Sequence, residues 1–292
     1  MSALDEFTEI IQRDAPLAPF THLKLGGKAE MLAQPRSVEE LSHLVRRCFE
    51  TRTPLRVLGC GCNLLVRDEG VSGLILRLTE PAFTEVHVED NQVRCGTGAT
   101  VSAMISAATR HGLTGLESLV GIPGTVGGAL RTNAGDKGGD IGQFVQQVEV
   151  MDRNGRVQVR DRDDLQFMDR GSNLDDPVLL KAEFRLEKDS ADAIVKRMRK
   201  AWIMRKAAQP AVFQASGQLF RNPKGLNAST LIEKAGLMRT RVGGAEISDR
   251  DANYVIVHSG ASSRDVLRLI DMVRARVKER FSVQLEQEIA VW

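Results

Sequence analysis

Leu55-Arg56-Val57-Leu58-Gly59-Cys60-Gly61-Cys62-Asn63-Leu64-Leu65 is a short apolar run that turns through Gly-x-Gly-x-Asn and resumes as an apolar pair. The run reads as a buried strand and the glycines as a tight turn after it. Successive N–H groups in such a turn point into one concavity and hold phosphate oxygens. A plain connector between two strands looks the same, so this loop alone favours the connector. A second stretch is Gly121-Ile122-Pro123-Gly124-Thr125-Val126-Gly127-Gly128, whose four glycines and one proline exceed what a connector needs. It has no Lys-Ser/Thr ending, so it is not a Walker loop. It also lacks the strand–GxGxxG–helix setting of a Rossmann fingerprint. Paired glycine cradles suit a pyrophosphate held from two sides.

Outward from these loops the chain alternates short helices and strands. Ser37 and Glu40 form a capping-box pattern before an apolar stripe at Leu41, Leu44, Val45 and Cys48, which predicts an amphipathic helix. Leu74, Leu76 and Leu78 share one face of a strand, and Val86 and Val88 suggest the next. Val101, Met104, Ile105 and Ala108 have helical spacing, with Thr100 to cap the start and Gly112 to end it. Asn154-Gly155 between Val148–Met151 and Arg156–Val159 is a hairpin signal. Val178, Leu180, Ala182, Phe184 and Leu186 alternate as a strand. From about Ser190 to Lys206 a Lys/Arg-rich helix is expected, stopped by Pro210. Val266, Leu267, Ile270, Val273 and Val277 mark a long helix near the end. The change of pattern predicts two domains, 1–189 and 190–292.

Composition narrows the function classes. The 292 residues are 42% hydrophobic and 27% charged, an ordinary globular balance. A formal charge of +2 gives no strong field toward nucleic acid or an anionic membrane. No apolar run reaches the length of a membrane span. Asp5, Glu6, Glu9 and Asp14 speak against a secretory signal peptide. None of Cys48, Cys60, Cys62 and Cys95 has zinc-type spacing, so a reduced cytoplasmic chain without a metal site is expected. A monomer is expected as well.

Taken in order, the motifs resemble the UDP-N-acetylenolpyruvoylglucosamine reductase family. The matching segments are Thr21-His22-Leu23-Lys24-Leu25-Gly26-Gly27-Lys28-Ala29-Glu30 and Leu58 to Val66. They continue with Gly115-Leu116-Glu117, Gly121 to Gly128, and Arg131, Asn133, Ala134 and Gly135. The last are Leu219-Phe220-Arg221-Asn222-Pro223, Leu231 to Leu237, Gly243-Gly244-Ala245, and Leu285-Glu286-Gln287-Glu288. The resemblance implies an α+β fold: a vanillyl-alcohol-oxidase-type (PCMH) FAD-binding domain followed by a smaller α+β substrate domain. The length fits the short type without the extra tyrosine-bearing loop. It implies FAD as cofactor and NADPH as co-substrate. The reaction implied is reduction of UDP-N-acetylglucosamine enolpyruvate to UDP-N-acetylmuramate for peptidoglycan.

Carried over residue by residue, the resemblance assigns cofactor contacts to Leu58, Gly59, Cys60, Gly61, Cys62, Asn63 and Leu64. It adds Gly121, Pro123, Gly124, Thr125, Gly127, Gly128 and Ala129. The carboxylate-binding arginine maps to Arg170, where the usual preceding tyrosine is Asp169. A guanidinium donates two parallel hydrogen bonds to a carboxylate. The family glutamate maps to Glu288, although Glu286 would share its strand face. Gln218 occupies the position of the Ser or Cys proton donor, and a primary amide has no usable proton near neutral pH. Asn222 is assigned to the substrate. The basic run Lys196, Arg197, Arg199, Lys200, Arg205 and Lys206 reads first as a solvated face, and only Arg205 is given a weak role toward the UDP diphosphate. Asp251 stands where His is usual, and His258 where Asn is common. Cys60 and Cys62 read as small loop residues, because the backbone N–H groups do the binding. Two further readings stay open: a flavin-binding relative that has lost or altered the reductase step through Gln218, or another oxidoreductase on the same FAD domain.

Overall fold

The computed structural model describes residues 4–136, 138–208 and 216–292. The chain divides into two compact units. The first comprises Met1–Arg13, Met31–Gly59 and Ser72–Arg205, and the second Asp14–Glu30, Cys60–Val71 and Lys206–Trp292. This division differs from the expected single cut near Ser190. Asp189 N–H bonds the Gly112 carbonyl, Ile194 is buried, and Met198 packs on the first unit's core. The basic helix Ala191–Ala208 therefore continues the first unit as far as Arg205. The expected stop at Pro210 lies outside the described residues.

The first unit is built on a five-stranded antiparallel sheet. Its order is Val157–Asp161, Val145–Met151, Val178–Arg185, Gln92–Gly96, Val86–Glu89. One face carries Val93, Val148, Val150 and Phe184 against the helix Val101–Arg110 through Met104 and Ala108. The other buries Met151, Val178 and Leu180 with the stripe Leu41, Leu44, Val45 and Cys48 of helix Val38–Glu50. Alternation along the strands thus feeds two cores, as the period of two requires. Ser37 caps its helix by accepting from Glu40 N–H. Glu40 itself reaches the N–H of Arg36 at 2.5 Å, one residue before the capping-box partner. Thr100 accepts from Ala103 N–H, and its helix ends at Arg110. The Asn154-Gly155 turn forms, with the Asp152 carboxylate accepting from the N–H groups of Asn154 and Arg156.

The second unit has a four-stranded antiparallel sheet, ordered Ser216–Gln218, Tyr254–Val257, Ala245–Ile247, Arg241–Val242. Helices Ala228–Lys234 and Ser263–Phe281 cover it, and Ser262 and Asp265 complete a capping box on the latter. Phe220, Ile247, Val255, Val266, Ile270 and Val273 fill the core. Leu23, Leu25 and Leu65, from the two early segments, are buried among them. The last strand, Ala290–Val291, runs parallel to Leu64–Leu65. Among the described residues no helix is long and apolar enough to cross a membrane.

Candidate active site

In the first unit the second glycine loop leads into the helix Val126–Arg131, capped by Thr125. Thr125 is placed by an antiparallel bridge to Thr100, with Val126 N–H on the Ala99 carbonyl and Val101 N–H on the Gly124 carbonyl. That pairing spends several donors. Gly127 N–H goes to the Thr97 carbonyl and Gly128 N–H to the Thr125 hydroxyl. Among the described residues the N–H groups of Gly124 and Thr125 meet no acceptor. Gly127 serves packing: a Cβ there would sit 3.0 Å from Thr97 Cβ. Gly59 serves close approach, since its Cβ would meet Thr125 Oγ1 at 2.6 Å.

The far side of this loop is braced by the basic helix. Arg205 donates to the Ser118 carbonyl at 2.9 Å and its Cδ lies 3.3 Å from where a Gly121 Cβ would be. Arg197 bonds Glu117, Asp189 and Thr114. Burial works to raise the Glu117 carboxyl, but the Thr114 hydroxyl, backbone N–H groups and Arg197 outweigh it and hold it below its ordinary value. Arg197 and Arg205 thus fix the loop's approach, which a count of cations on a helix does not reveal.

Arg170 sits at φ +58° in the turn joining Phe167–Met168 to Gly171–Ser172, exposed and without an ion pair among the described residues. Asp169 makes no such pair either, so the neighbouring carboxylate does not occupy the guanidinium. The turn is held by residues whose role the sequence did not disclose. Asn133 donates to the Met168 carbonyl at 3.1 Å and accepts from Gly142 N–H. Arg131, which burial pushes down from its ordinary value, donates to the carbonyls of Leu174 and Asp176. Asn133→Ala is expected to remove both bonds from a site 9% exposed, costing roughly 1–3 kcal/mol. It should also loosen the Arg170 turn. Urea unfolding would read the lost stability, and faster proteolysis within residues 167–172 than in the parent would show the loosening; an unchanged cleavage rate would separate Asn133 from the turn.

In the second unit the first glycine loop, Gln218 and Glu288 are tied together. Asn63 donates through Nδ2 to the Glu288 carbonyl at 3.1 Å, and its own carbonyl accepts from Ala290 N–H. Glu288 N–H bonds the Leu219 carbonyl at 2.8 Å, and Phe220 pairs with Gln287. The loop itself is pinned from behind: His22 N–H bonds the Gly61 carbonyl at 3.0 Å. The N–H groups of Gly61 and Cys62 meet no acceptor among the described residues. The segment Thr21–Leu25 is therefore the floor of the loop, with Thr21 buried and its hydroxyl on the Leu25 carbonyl.

Glu288 and Glu286 separate by burial. The Glu288 side chain is 9% exposed, whereas Glu286 is exposed. Glu288 Oε2 lies 3.2 Å from Arg221 Nε but forms no hydrogen bond, because the pair is not aligned as one. Gln218 Nε2 donates to the Phe220 carbonyl at 3.3 Å. Asn222 is exposed and uses Oδ1 to accept from Ala228 N–H. Asp251 accepts from Asn253 N–H and so builds the turn before Tyr254–Val257. His258 pairs with Glu246 at 2.8 Å.

Unspent loop N–H groups and a match of residues 29–160 to the FAD binding domain family define a flavin-binding protein of α+β class. Residues 209–292 match the C-terminal domain of UDP-N-acetylenolpyruvoylglucosamine reductase. Curated relatives extend this over the whole chain. UDP-N-acetylenolpyruvoylglucosamine reductase 2 of Symbiobacterium thermophilum is 40% identical over 97% of this chain and 92% of its own. The reductase of Clostridium novyi is 36% identical over 99% and 94%. The crystal structure of the reductase from Thermus caldophilus superposes with a TM-score of 0.82 at 35% identity, covering 97% of this chain and 98% of that one. The chain belongs to the UDP-N-acetylenolpyruvoylglucosamine reductase family.

Proposed function

We propose that the protein reduces UDP-N-acetylglucosamine enolpyruvate to UDP-N-acetylmuramate, with NADPH as the reductant, in peptidoglycan precursor synthesis. The observation that carries this reading is the tie from Asn63 to Glu288 and on to Leu219. It joins the cofactor loop to the residues that handle the reacting carbon. FAD, when bound, would supply hydride transfer between NADPH and the enolpyruvyl group. In the second unit the unspent donors suited to an anion are the N–H groups of Gly61 and Cys62, and in the first unit those of Gly124 and Thr125. Anions on successive N–H groups need no side-chain charge.

The protein's own residues then act on charge and protons. Arg170 binds the substrate carboxylate, on which negative charge accumulates, and its guanidinium, without an ion pair among the described residues, is ready for a bidentate contact. Glu288 acts at the neighbouring carbon, with one carboxylate oxygen buried and unbonded. Asn222 and Arg205 contribute to the nucleotide sugar. Gln218 orients rather than protonates, since its amide donates but does not ionise. The protein acts in the cytoplasm as a monomer, which sedimentation would test.

The deciding experiment is anaerobic. The yellow protein is reduced with NADPH and the enolpyruvyl substrate is added. Rapid reoxidation supports the assignment; a flavin that NADPH reduces and this substrate leaves reduced refutes it. Gln218→Ser places a hydroxyl at the donor position and is expected to raise the rate of that reoxidation, by as much as the 10²-fold or so typical of a positioned acid. An unchanged rate would show that the proton comes by another route.

A further inference from the structure

Four thiols are present, and they fall into two kinds. Cys48 and Cys95 are buried, and burial pushes each thiol up to about 12. Both are inert near neutral pH, because the thiolate is the reactive form. Cys60 and Cys62 are different. They flank Gly61 in the first glycine loop, Cys60 exposed and Cys62 partly so. The Cys62 sulfur folds back to within 3.7 Å of the Cys60 carbonyl. The neighbouring Cys60 side chain, ahead of burial, raises the Cys62 thiol. Cys60 is the more exposed of the two, and so the sulfur that a small disulfide in solution reaches first.

We infer that Cys60 and Cys62 form a thiol–disulfide exchange site for low-molecular-weight disulfides, and that closing the Cys60–Cys62 bond lowers the affinity for FAD. The second half rests on the reading of this loop as a flavin cradle. The exposed Cys60 thiolate attacks one sulfur of the small disulfide, forming a mixed disulfide and releasing one thiol. Cys62 then loses its proton and attacks the Cys60 sulfur, forming the intraloop bond and releasing the second thiol. Two protein thiols are oxidised and one disulfide is reduced to two thiols.

The geometry explains why flavin affinity should fall. The ring closed by this bond encloses the peptides whose N–H groups, those of Gly61 and Cys62, meet no acceptor among the described residues. A disulfide needs the sulfurs at about 2.05 Å with a dihedral near 90°. Closing a bond of that geometry across one residue takes the Cys62 sulfur off the Cys60 carbonyl and constrains the torsions of both peptides. The loop has little room to follow as a body, because His22 holds the Gly61 carbonyl and a Gly61 Cβ position lies 2.3 Å from the Phe20 carbonyl. The donors are turned from where they now point.

The test treats the full-length protein, flavin-free and flavin-loaded, with oxidised glutathione. Intact mass and peptide mapping then read the thiols. The expected product is a Cys60–Cys62 disulfide with Cys48 and Cys95 still reduced, forming more slowly when flavin is bound. Cys62→Ser should trap glutathione on Cys60, and Cys60→Ser should not react over the same time. FAD titration of the oxidised protein should show a Kd raised at least about tenfold, the loss of one hydrogen bond, and dithiothreitol should restore it. No adduct on Cys60 in the Cys62→Ser variant overturns the exchange chemistry. An intraloop disulfide that leaves the FAD Kd unchanged overturns the coupling. A reduced protein that binds no FAD refutes the cradle reading itself, and the thiol mapping still reads the exchange chemistry separately.

Discussion

Glu288→Gln is expected to yield a folded, yellow protein that NADPH still reduces, but whose reoxidation by the enolpyruvyl substrate falls by roughly 10²–10⁴-fold. The argument begins with an unsatisfied atom. Buried polar groups are normally hydrogen-bonded, and an exception calls for a cause. The Glu288 side chain is 9% exposed, and its Oε2 lies beside Arg221 without bonding to it. Arg221 is 46% exposed and keeps its charge solvated, so it compensates the carboxylate while leaving that oxygen available. Glutamine preserves the volume and removes the ionisable group. The cost in stability should be modest, within about 1 kcal/mol, because the cationic partner of the pair is half in water. Glu286→Gln is the control. Glu286 is exposed and its contact with Arg221 is through its carbonyl, so substitution should leave both half-reactions intact. A Glu288→Gln variant reoxidised at the parent rate would remove Glu288 from the chemistry.

That pair also shows where sequence reading stops. Two residues apart on a strand, Glu286 and Glu288 share a face, and alternation cannot choose between them. The structure has no strand here, only an isolated bridge from Phe220 to Gln287, and beside it the Glu288 side chain is 9% exposed whereas Glu286 lies out in solvent. The glycine loops were legible because their composition is expensive in ordered structure and has few uses. Which glycine binds and which merely packs was not: Gly127 has its N–H on Thr97, as Gly124 does not. Local signals with a local cause came through, such as the Thr100 cap and the Asn154-Gly155 turn. The division of the chain did not. Leu23, Leu25 and Leu65 look like any apolar residues in sequence, and only long-range packing puts them in a core with Phe220 and Val255. The role proposed for Arg170 has no local mark, because among the described residues no hydrogen bond or ion pair holds its side chain.

Gly61→Ala is expected to abolish flavin retention through gel filtration, with the FAD Kd raised by about 100-fold or more. Two costs coincide at this residue. Its φ of +60° is left-handed backbone, which costs an alanine roughly 1–2 kcal/mol. A Cβ would also lie 2.3 Å from the Phe20 carbonyl and 2.9 Å from Thr21 Cα. Backbone atoms do not swing away as a side chain end does, so the loop must rise off its floor, adding roughly 1–3 kcal/mol. Rising costs the bond from His22 N–H to the Gly61 carbonyl and moves the N–H groups of Gly61 and Cys62 together. Hydrogen bonds to a charged group contribute about 1.5–3 kcal/mol each, and every 1.4 kcal/mol is about tenfold in affinity. Losing both accounts for the expected loss of flavin. Gly236→Ala separates the two costs, because Gly236 has φ +78° and nothing within 4 Å of its Cβ position. It should lose stability from the backbone alone, about 1–2 kcal/mol, and keep its flavin. If Gly61→Ala binds FAD as tightly as the parent, the first glycine loop is a connector, and the cradle has to be sought among the donors of Gly124 and Thr125 alone.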